Sequence, residues 1–219
     1  MITVLIVDDH ALVRMGIKRL LEDTQDIQVI GEAQNGEEAL LMVQQHHPDI
    51  ILLDMKMPGI DGWEVIRRLK ASSASSKIIA VSALSVEPLP SRVLQMGAMG
   101  YLSKEASIEE MTGAIRKVHR GERYMSAQLA QNLAIQRLNP VSQTPFEALT
   151  EREMQVMLLI TSGITVPEIS KRLFLSTKTV NSYRYRMFEK LNVKNDVELT
   201  HLAIKHSIIE RPDEANIDT

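Results

Sequence analysis

The feature that most constrains this chain is an alternation repeated five times in its first half. Short apolar runs at Thr3–Val7, Ile27–Ile30, Ile50–Leu53, Ile78–Val81 and Tyr101–Leu102 are separated by amphipathic stretches near 11–23, 36–46, 62–71, 88–97 and 107–120. Most of the runs are rich in Val and Ile and apolar at successive positions. A strand with one wet face alternates apolar and polar residues, whereas a strand covered on both faces does not. Five such β-α units predict an α/β, doubly wound, five-stranded parallel sheet over residues 1–121. Asn35-Gly36, Pro58-Gly59 and Asp61-Gly62 supply turns between units.

The pattern then changes. Residues 122–147 carry Gln, Asn, Ser and Pro, including Asn139-Pro140 and Thr144-Pro145, and read as a linker with a short helix over 126–137. Residues 148–211 show no strand pattern. They predict an all-α, four-helix unit with helices near 151–162, 166–173, 177–191 and 196–206, followed by a frayed acidic tail over 212–219. Thr150 is a suitable N-cap and Glu153 completes a capping box. Gly163 suits a helix end, Pro167 a first helical turn, and Ser176 or Thr177 the cap of the next helix.

Charge divides along the same line. Residues 1–121 carry a balance of −3 and residues 148–211 a balance of +3, and a mildly basic second unit is compatible with nucleic acid. The absence of cysteine excludes disulfides, zinc-thiolate sites and thiol catalysis. The first apolar run ends in two aspartates, unlike a signal peptide, and no segment approaches the roughly 20 apolar residues of a membrane helix. A cytoplasmic protein with no membrane contact is expected.

In open α/β sheets, ligands bind beyond the C-terminal strand ends. Here strand one ends in Asp8-Asp9, strand three in Asp54, strand four in Ser82-Ala83 and strand five in Ser103-Lys104. Each residue by itself is ordinary: a cap, a turn, a surface lysine. Together they place three carboxylates, a hydroxyl and an ammonium on one edge. Clustered carboxylates repel unless protonated or holding a cation, and oxygen ligands suit Mg²⁺. Asp54, the central carboxylate, can act as a nucleophile and form an acyl phosphate. Lys104 can pair with a phosphoryl oxygen, and Ser82 can donate a hydrogen bond to another.

In the second unit the stretch 177–191 is the informative one. Val180, Met187 and Leu191 share a face flanked by Tyr183 and Phe188. The opposite face offers Lys178, Thr179, Asn181, Ser182, Tyr185 and Arg186, which can reach phosphates and base edges in a major groove. An isolated helix with such a face is usually just solvated. The short Leu175-Ser176 turn to the preceding helix, in a basic unit, favours a helix-turn-helix.

These residues also carry a resemblance. VDDH at 7–10, LLDMKMPGIDG at 52–62, VSA at 81–83 and GYLSK at 100–104 resemble the signature of flavodoxin-like response-regulator receiver domains. LTEREMQVM and GITVPEISKRLFLSTKTVNSYRYRMFEKLNV resemble the LuxR/NarL (FixJ) output domain. The resemblance implies a non-enzymatic, phosphorylation-controlled transcription regulator. It makes Asp54 the phosphoacceptor for a sensor histidine kinase. It places Mg²⁺ on Asp9, Asp54 and the Lys56 carbonyl, with Asp8 helping through water. It gives Ser82, Ala83 and Lys104 to the phosphoryl group and makes Tyr101 the aromatic switch residue. Residues 177–191 become a recognition helix for double-stranded promoter DNA, and 196–206 a contact in a phosphorylation-induced homodimer. TVNSYRYRMFEKLNV, EPLP at 87–90 and DVELTHLAI at 196–204 are similar to the GacA/UvrY/LetA branch, which implies promoters of small regulatory RNA genes. Lys56 and Leu84 flank the approach of water to Asp54 and would tune the phosphorylation lifetime.

Two positions depart from the family pattern. Glu105 stands where proline often follows the lysine, and Arg184 where an aliphatic residue is usual, beside the core or within reach of a phosphate. Three other readings are weighed: a phosphorylation-independent regulator, a receiver acting only through protein partners, against which the intact recognition helix argues, and an Mg-dependent aspartyl phosphatase. The last needs an acid two residues after the nucleophile, where Lys56 stands.

Overall fold

The computed structural model describes all residues except 73–74, 84–87, 139–143 and 210–219, together with the side chains of 132, 133 and 135–138. Leu84, Glu87, Asn139-Pro140 and the tail at 212–219 therefore lie outside the described residues. The chain forms two compact units, and the main boundary between them falls within one helix, between Asn132 and Leu133.

In the first unit, strands β1 (Ile2–Val7), β2 (Ile27–Ala33), β3 (Ile50–Asp54), β4 (Lys77–Ser82) and β5 (Gly100–Ser103) alternate with helices α1 (Ala11–Glu22), α2 (Gly36–His46), α3 (Gly62–Ala71), α4 (Leu89–Met96) and α5 (Ile108–His119). The sheet is parallel throughout, in the order β2-β1-β3-β4-β5-β6. Alternate strand residues Val4, Ile6, Ile50, Leu52, Ile79, Val81 and Leu102 form one core with Ile17 and Leu21 of α1 and Met111, Ala114, Ile115 and Val118 of α5. Leu5, Ile51, Leu53 and Ala80, the intervening residues, are buried as well, as continuous apolar runs require.

The sixth strand corrects the expected five. Tyr124–Met125 (β6) lies in the stretch read as linker and pairs with β5 in the register Gly100↔Tyr124 and Tyr101↔Met125. Two residues are too few to show periodicity. Their strand state comes from distant partners, among them the Met99 carbonyl, which accepts from the Tyr124 N–H at 2.9 Å. Helix α6 (Ala127–Leu138) follows.

Glycine has two uses in the loop after β3. Gly59 turns the chain at φ +74, and a Cβ on Gly62 would lie 2.5 Å from the Asp54 carbonyl oxygen. Only a bare Cα lets α3 start so close beneath β3. Asp61 caps that helix by accepting from the Glu64 N–H at 2.9 Å.

The second unit holds α7 (Glu151–Thr161), α8 (Val166–Leu173), α9 (Thr177–Leu191) and α10 (Asp196–Lys205). Capping boxes at Thr150/Glu153 and Thr165/Glu168 start α7 and α8, and Ser176 caps α9. Left-handed Phe174 and Asn192 end α8 and α9. Met154, Met157, Ile169, Leu173, Val180, Met187, Leu199 and Ala203 make the core. A 3-10 turn at Pro145–Ala148 precedes α7 and buries Phe146 completely. Among the described residues, no helix is long and apolar enough to cross a membrane.

Candidate functional site

The fold brings the strand-end residues together. Asp54 is the last residue of β3 and pairs in register with Val81 of β4. Asp8 follows β1 and Lys104 follows β5, so three different strands feed one pocket where the strand order reverses. Lys104 Nζ lies 2.8 Å from Asp54 Oδ2 and 2.8 Å from Asp8 Oδ2. The Lys56 N–H donates to Asp54 Oδ1 at 3.0 Å. The Lys104 N–H donates to the Ser82 carbonyl at 3.0 Å, which ties the end of β4 to the lysine.

Burial sets the electrostatics. Asp8 and Asp54 are almost fully buried, whereas Asp9 remains partly open. Burial pushes the Asp54 carboxyl above its usual range; the Lys104 ammonium and the Lys56 N–H pull it back, and Asp8 adds repulsion. Burial draws the Lys104 ammonium down, but its bonds to Asp54 and Asp8 outweigh this and hold it above its usual range. One ammonium is thus shared between two of the pocket's three carboxylates, Asp54 and Asp8.

Oxygen atoms from Asp8, Asp9 and Asp54, with a nitrogen of His10, all lie within 4.8 Å of one another. Asp9 Oδ1 is buried without a hydrogen-bond partner; His10 Nδ1 approaches to 2.9 Å, yet not along a hydrogen-bonding direction. A buried carboxylate oxygen in that state fits a cation, and a carboxylate-rich set fits a hard divalent one.

The remaining expected residues are placed differently. Tyr101 is 1% exposed, inside the sheet layer. Ser82 is buried at the pocket edge, and the side chains of Ala83 and Lys56 are exposed. Glu105 has a structural use: its N–H, which proline would lack, donates to Ser103 Oγ at 3.2 Å. Two pocket residues were not anticipated as such. His10 stands in the VDDH motif, and Arg14 donates from α1 to the Asp8 carbonyl at 2.7 Å. Helical side chains lean toward the helix N-terminus, so an arginine in the second turn of α1 could have been aimed at the β1 end.

In the second unit, Val180, Met187 and Leu191 are buried as expected, with Tyr183 and Phe188 half-buried. Lys178, Ser182, Tyr185 and Arg186 are exposed on the opposite face, with Thr179 and Asn181 partly so. The Arg186 guanidinium lies 4.8 Å over the Tyr183 ring, and its Nε is 3.6 Å from Glu153. Arg184 Nε donates to Asp196 Oδ1 at 2.7 Å, and the guanidinium covers the Phe188 ring. This unusual arginine therefore braces α10 against α9.

Comparison with known proteins agrees with both units. Residues 4–116 match the family described as response regulator receiver domain. Residues 147–203 match bacterial regulatory proteins of the luxR family. The chain is 52% identical over 209 residues to the response regulator UvrY of Escherichia coli K12, covering 95% of this chain and 96% of that one. It is 50% identical over 210 residues to the response regulator GacA of Pseudomonas protegens, covering 96% and 99%. Among solved structures, RcsB of Salmonella enterica serovar Typhimurium, bound to promoter rprA in the presence of phosphomimetic BeF3⁻, aligns with a TM-score of 0.75 at 25% identity. That alignment covers 92% of this chain and 98% of RcsB.

Proposed function

The chain belongs to the response regulators that join a receiver domain to a LuxR-type DNA-binding domain, and on that premise we propose that Asp54 accepts the phosphoryl group. It is a phosphorylation-controlled transcription regulator rather than an enzyme. The observation that carries the residue assignment is the Lys104 ammonium, 2.8 Å from both Asp54 and Asp8 at the ends of different strands.

In this reading a sensor histidine kinase presents a phosphohistidine. Asp54 Oδ attacks phosphorus, a P–O bond forms, the P–N bond breaks, and the imidazole keeps the electron pair. Lys104 turns from the carboxylates to a phosphoryl oxygen, Ser82 donates to another, and Ala83 lies beside them. Mg²⁺ would be held by Asp8, Asp9, Asp54 and the Lys56 carbonyl, and it supplies charge neutralisation for the incoming phosphoryl group. Tyr101, already inside the sheet layer, responds to the movement of Ser82 and carries the change along the β4–β5 side. The protein dimerises on phosphorylation, with α10 in the contact. Lys178, Thr179, Asn181, Ser182, Tyr185 and Arg186 then engage half-sites about one helical turn apart in double-stranded promoter DNA. By likeness to UvrY and GacA, those promoters include small regulatory RNA genes, and the protein works in the cytoplasm.

Incubation with acetyl phosphate and Mg²⁺, followed by intact mass, tests this reading. The wild type gains about 80 Da, one phosphoryl group, and then shifts promoter DNA at lower concentration; Asp54→Ala does neither. Equal phosphorylation of both proteins would remove Asp54 from the role. Equal DNA affinity before and after phosphorylation would favour the phosphorylation-independent regulator.

A further inference from the structure

We infer that Arg14 is a positioning residue for the divalent cation of the acidic pocket, an inference that rests on reading Asp8, Asp9 and Asp54 as the cation's carboxylates.

Arg14 stands in the second turn of α1 with its side chain 16% exposed. Its Nη1 donates to the Asp8 carbonyl at 2.7 Å. Its Nε faces Glu32 of β2 at 3.9 Å, and Glu32 also receives Lys18 Nζ at 2.7 Å. The guanidinium is thus strung between the end of β1 and the neighbouring strand. Its target is specific. The Asp8 carbonyl belongs to the peptide that joins Asp8 to Asp9, and it lies just past the last residue of β1. Fixing that peptide plane fixes the directions in which both carboxylates leave the backbone.

The Asp8 carboxylate is held separately, by the His10 N–H at 2.8 Å and by Lys104. Asp9 Oδ1 has no hydrogen bond, and among the described residues only the His10 imidazole stands beside it at 2.9 Å, so the backbone that Arg14 holds sets the direction of its side chain. Arginine suits this task, because a planar fork can serve a carbonyl on one arm while another nitrogen faces a carboxylate. A lysine offers one point of attachment.

Charge and position make opposite demands here. A guanidinium close behind a cation site repels the cation, so as mere charge Arg14 weakens binding and its removal tightens it. As the group that orients Asp8 and Asp9, Arg14 strengthens binding and its removal weakens it. Groups that orient metal ligands typically change metal affinity 10–100-fold when replaced.

The experiment is calorimetric titration of Mg²⁺ into the full chain at constant salt, for wild type, Arg14→Lys and Arg14→Gln. Acetyl phosphate uptake is followed at low and at saturating Mg²⁺. Arg14→Gln is expected to weaken Mg²⁺ binding by about tenfold, with Arg14→Lys between it and wild type. Uptake should recover toward the wild-type rate when Mg²⁺ saturates. Unchanged or tighter Mg²⁺ binding in Arg14→Gln overturns the proposal. Fluorescence of Trp63, the single tryptophan, reports whether the receiver is folded. Should Arg14→Gln not fold, wild-type affinity in Arg14→Lys overturns the proposal in its place. Failure of the wild type to bind Mg²⁺ at all would instead overturn the reading of the pocket, and this inference with it.

Discussion

Asp54 and Glu153 are equally shut off from water, each with 2% of its side chain exposed, yet their acidities move in opposite directions. Burial pushes both up. At Glu153 the Lys190 ammonium at 2.6 Å, the Thr150 N–H and the Thr150 hydroxyl more than offset burial, and the carboxyl falls below its usual range. At Asp54 one ammonium is shared with a second carboxylate, and the offset falls short. The first arrangement is complete within the protein and ties the α7 cap to the far half of α9. The second is not complete within the described residues, and on the reading proposed above a divalent cation completes it. Completeness, not burial, separates Glu153, whose acidity its partners strengthen, from Asp54, the carboxylate proposed to react.

The comparison can be broken most directly by truncation. Glu153→Ala removes half a capping box and strands Lys190. It should cost the second unit about 2–3 kcal/mol, read as lost amide-exchange protection in α7 and α9. Asp54→Asn should change the first unit by less than about 1 kcal/mol, because removing an uncompensated buried charge offsets the lost lysine pairing. Similar losses in both would end the comparison.

Cation binding sharpens it further. Mg²⁺ at ten times its Kd should stabilise the wild-type receiver by about 1.4 kcal/mol, read by unfolding at Trp63, which is buried in α3. Asp54→Asn should show far less, and the second unit none.

A smaller effect is expected from pH, measured in chelator. Glu153 is depressed in the folded state. Its stabilisation is present above its unfolded value and is lost as pH falls through the lower folded one. Asp54 is raised, so its favourable contribution exists only below its unfolded value and is lost as pH rises through the higher folded one. Acidification from neutral to the carboxylate range should therefore erase the advantage of wild type over Glu153→Gln. It should bring wild type and Asp54→Asn together. Parallel pH curves for the two pairs would contradict the opposite shifts. The smallest change belongs to Arg184→Leu. A half-exposed pair is worth at most about 1 kcal/mol, and promoter affinity should stay within about twofold of wild type because the guanidinium is committed to Asp196.

The residues that sequence reading finds share one property, and those it misses share another. Asp8, Asp54 and Lys104 are legible because each ends an apolar run, and parallel sheets gather run ends at one edge. The core face of α9 is legible from the spacing of Val180, Met187 and Leu191. Phe146 is not: it stands between Pro145 and Glu147 in a polar stretch, and its complete burial depends on the four-helix unit that follows it in the chain. Nor is the acceptor of Arg14: the lean of a helical side chain points it toward the β1 end, but nothing in the sequence marks the Asp8 carbonyl as its partner. Local patterns report where a residue lies in its own element, whereas Phe146, Arg14 and Tyr124 take their places from partners elsewhere.

Tyr124 and Met125 have a consequence for solubility. Without them, β5 would be the last strand of the sheet, and part of its outer row of amides and carbonyls would stand open to any passing strand, a common start of aggregation. The Tyr124 phenol donates to Glu110 at 3.2 Å, and Lys117 Nζ sits 5.4 Å from the ring centre, so the short strand is fastened at its side chain as well as its backbone. A receiver fragment cut at Gly121 should self-associate at concentrations where one ending after Met125 stays monodisperse.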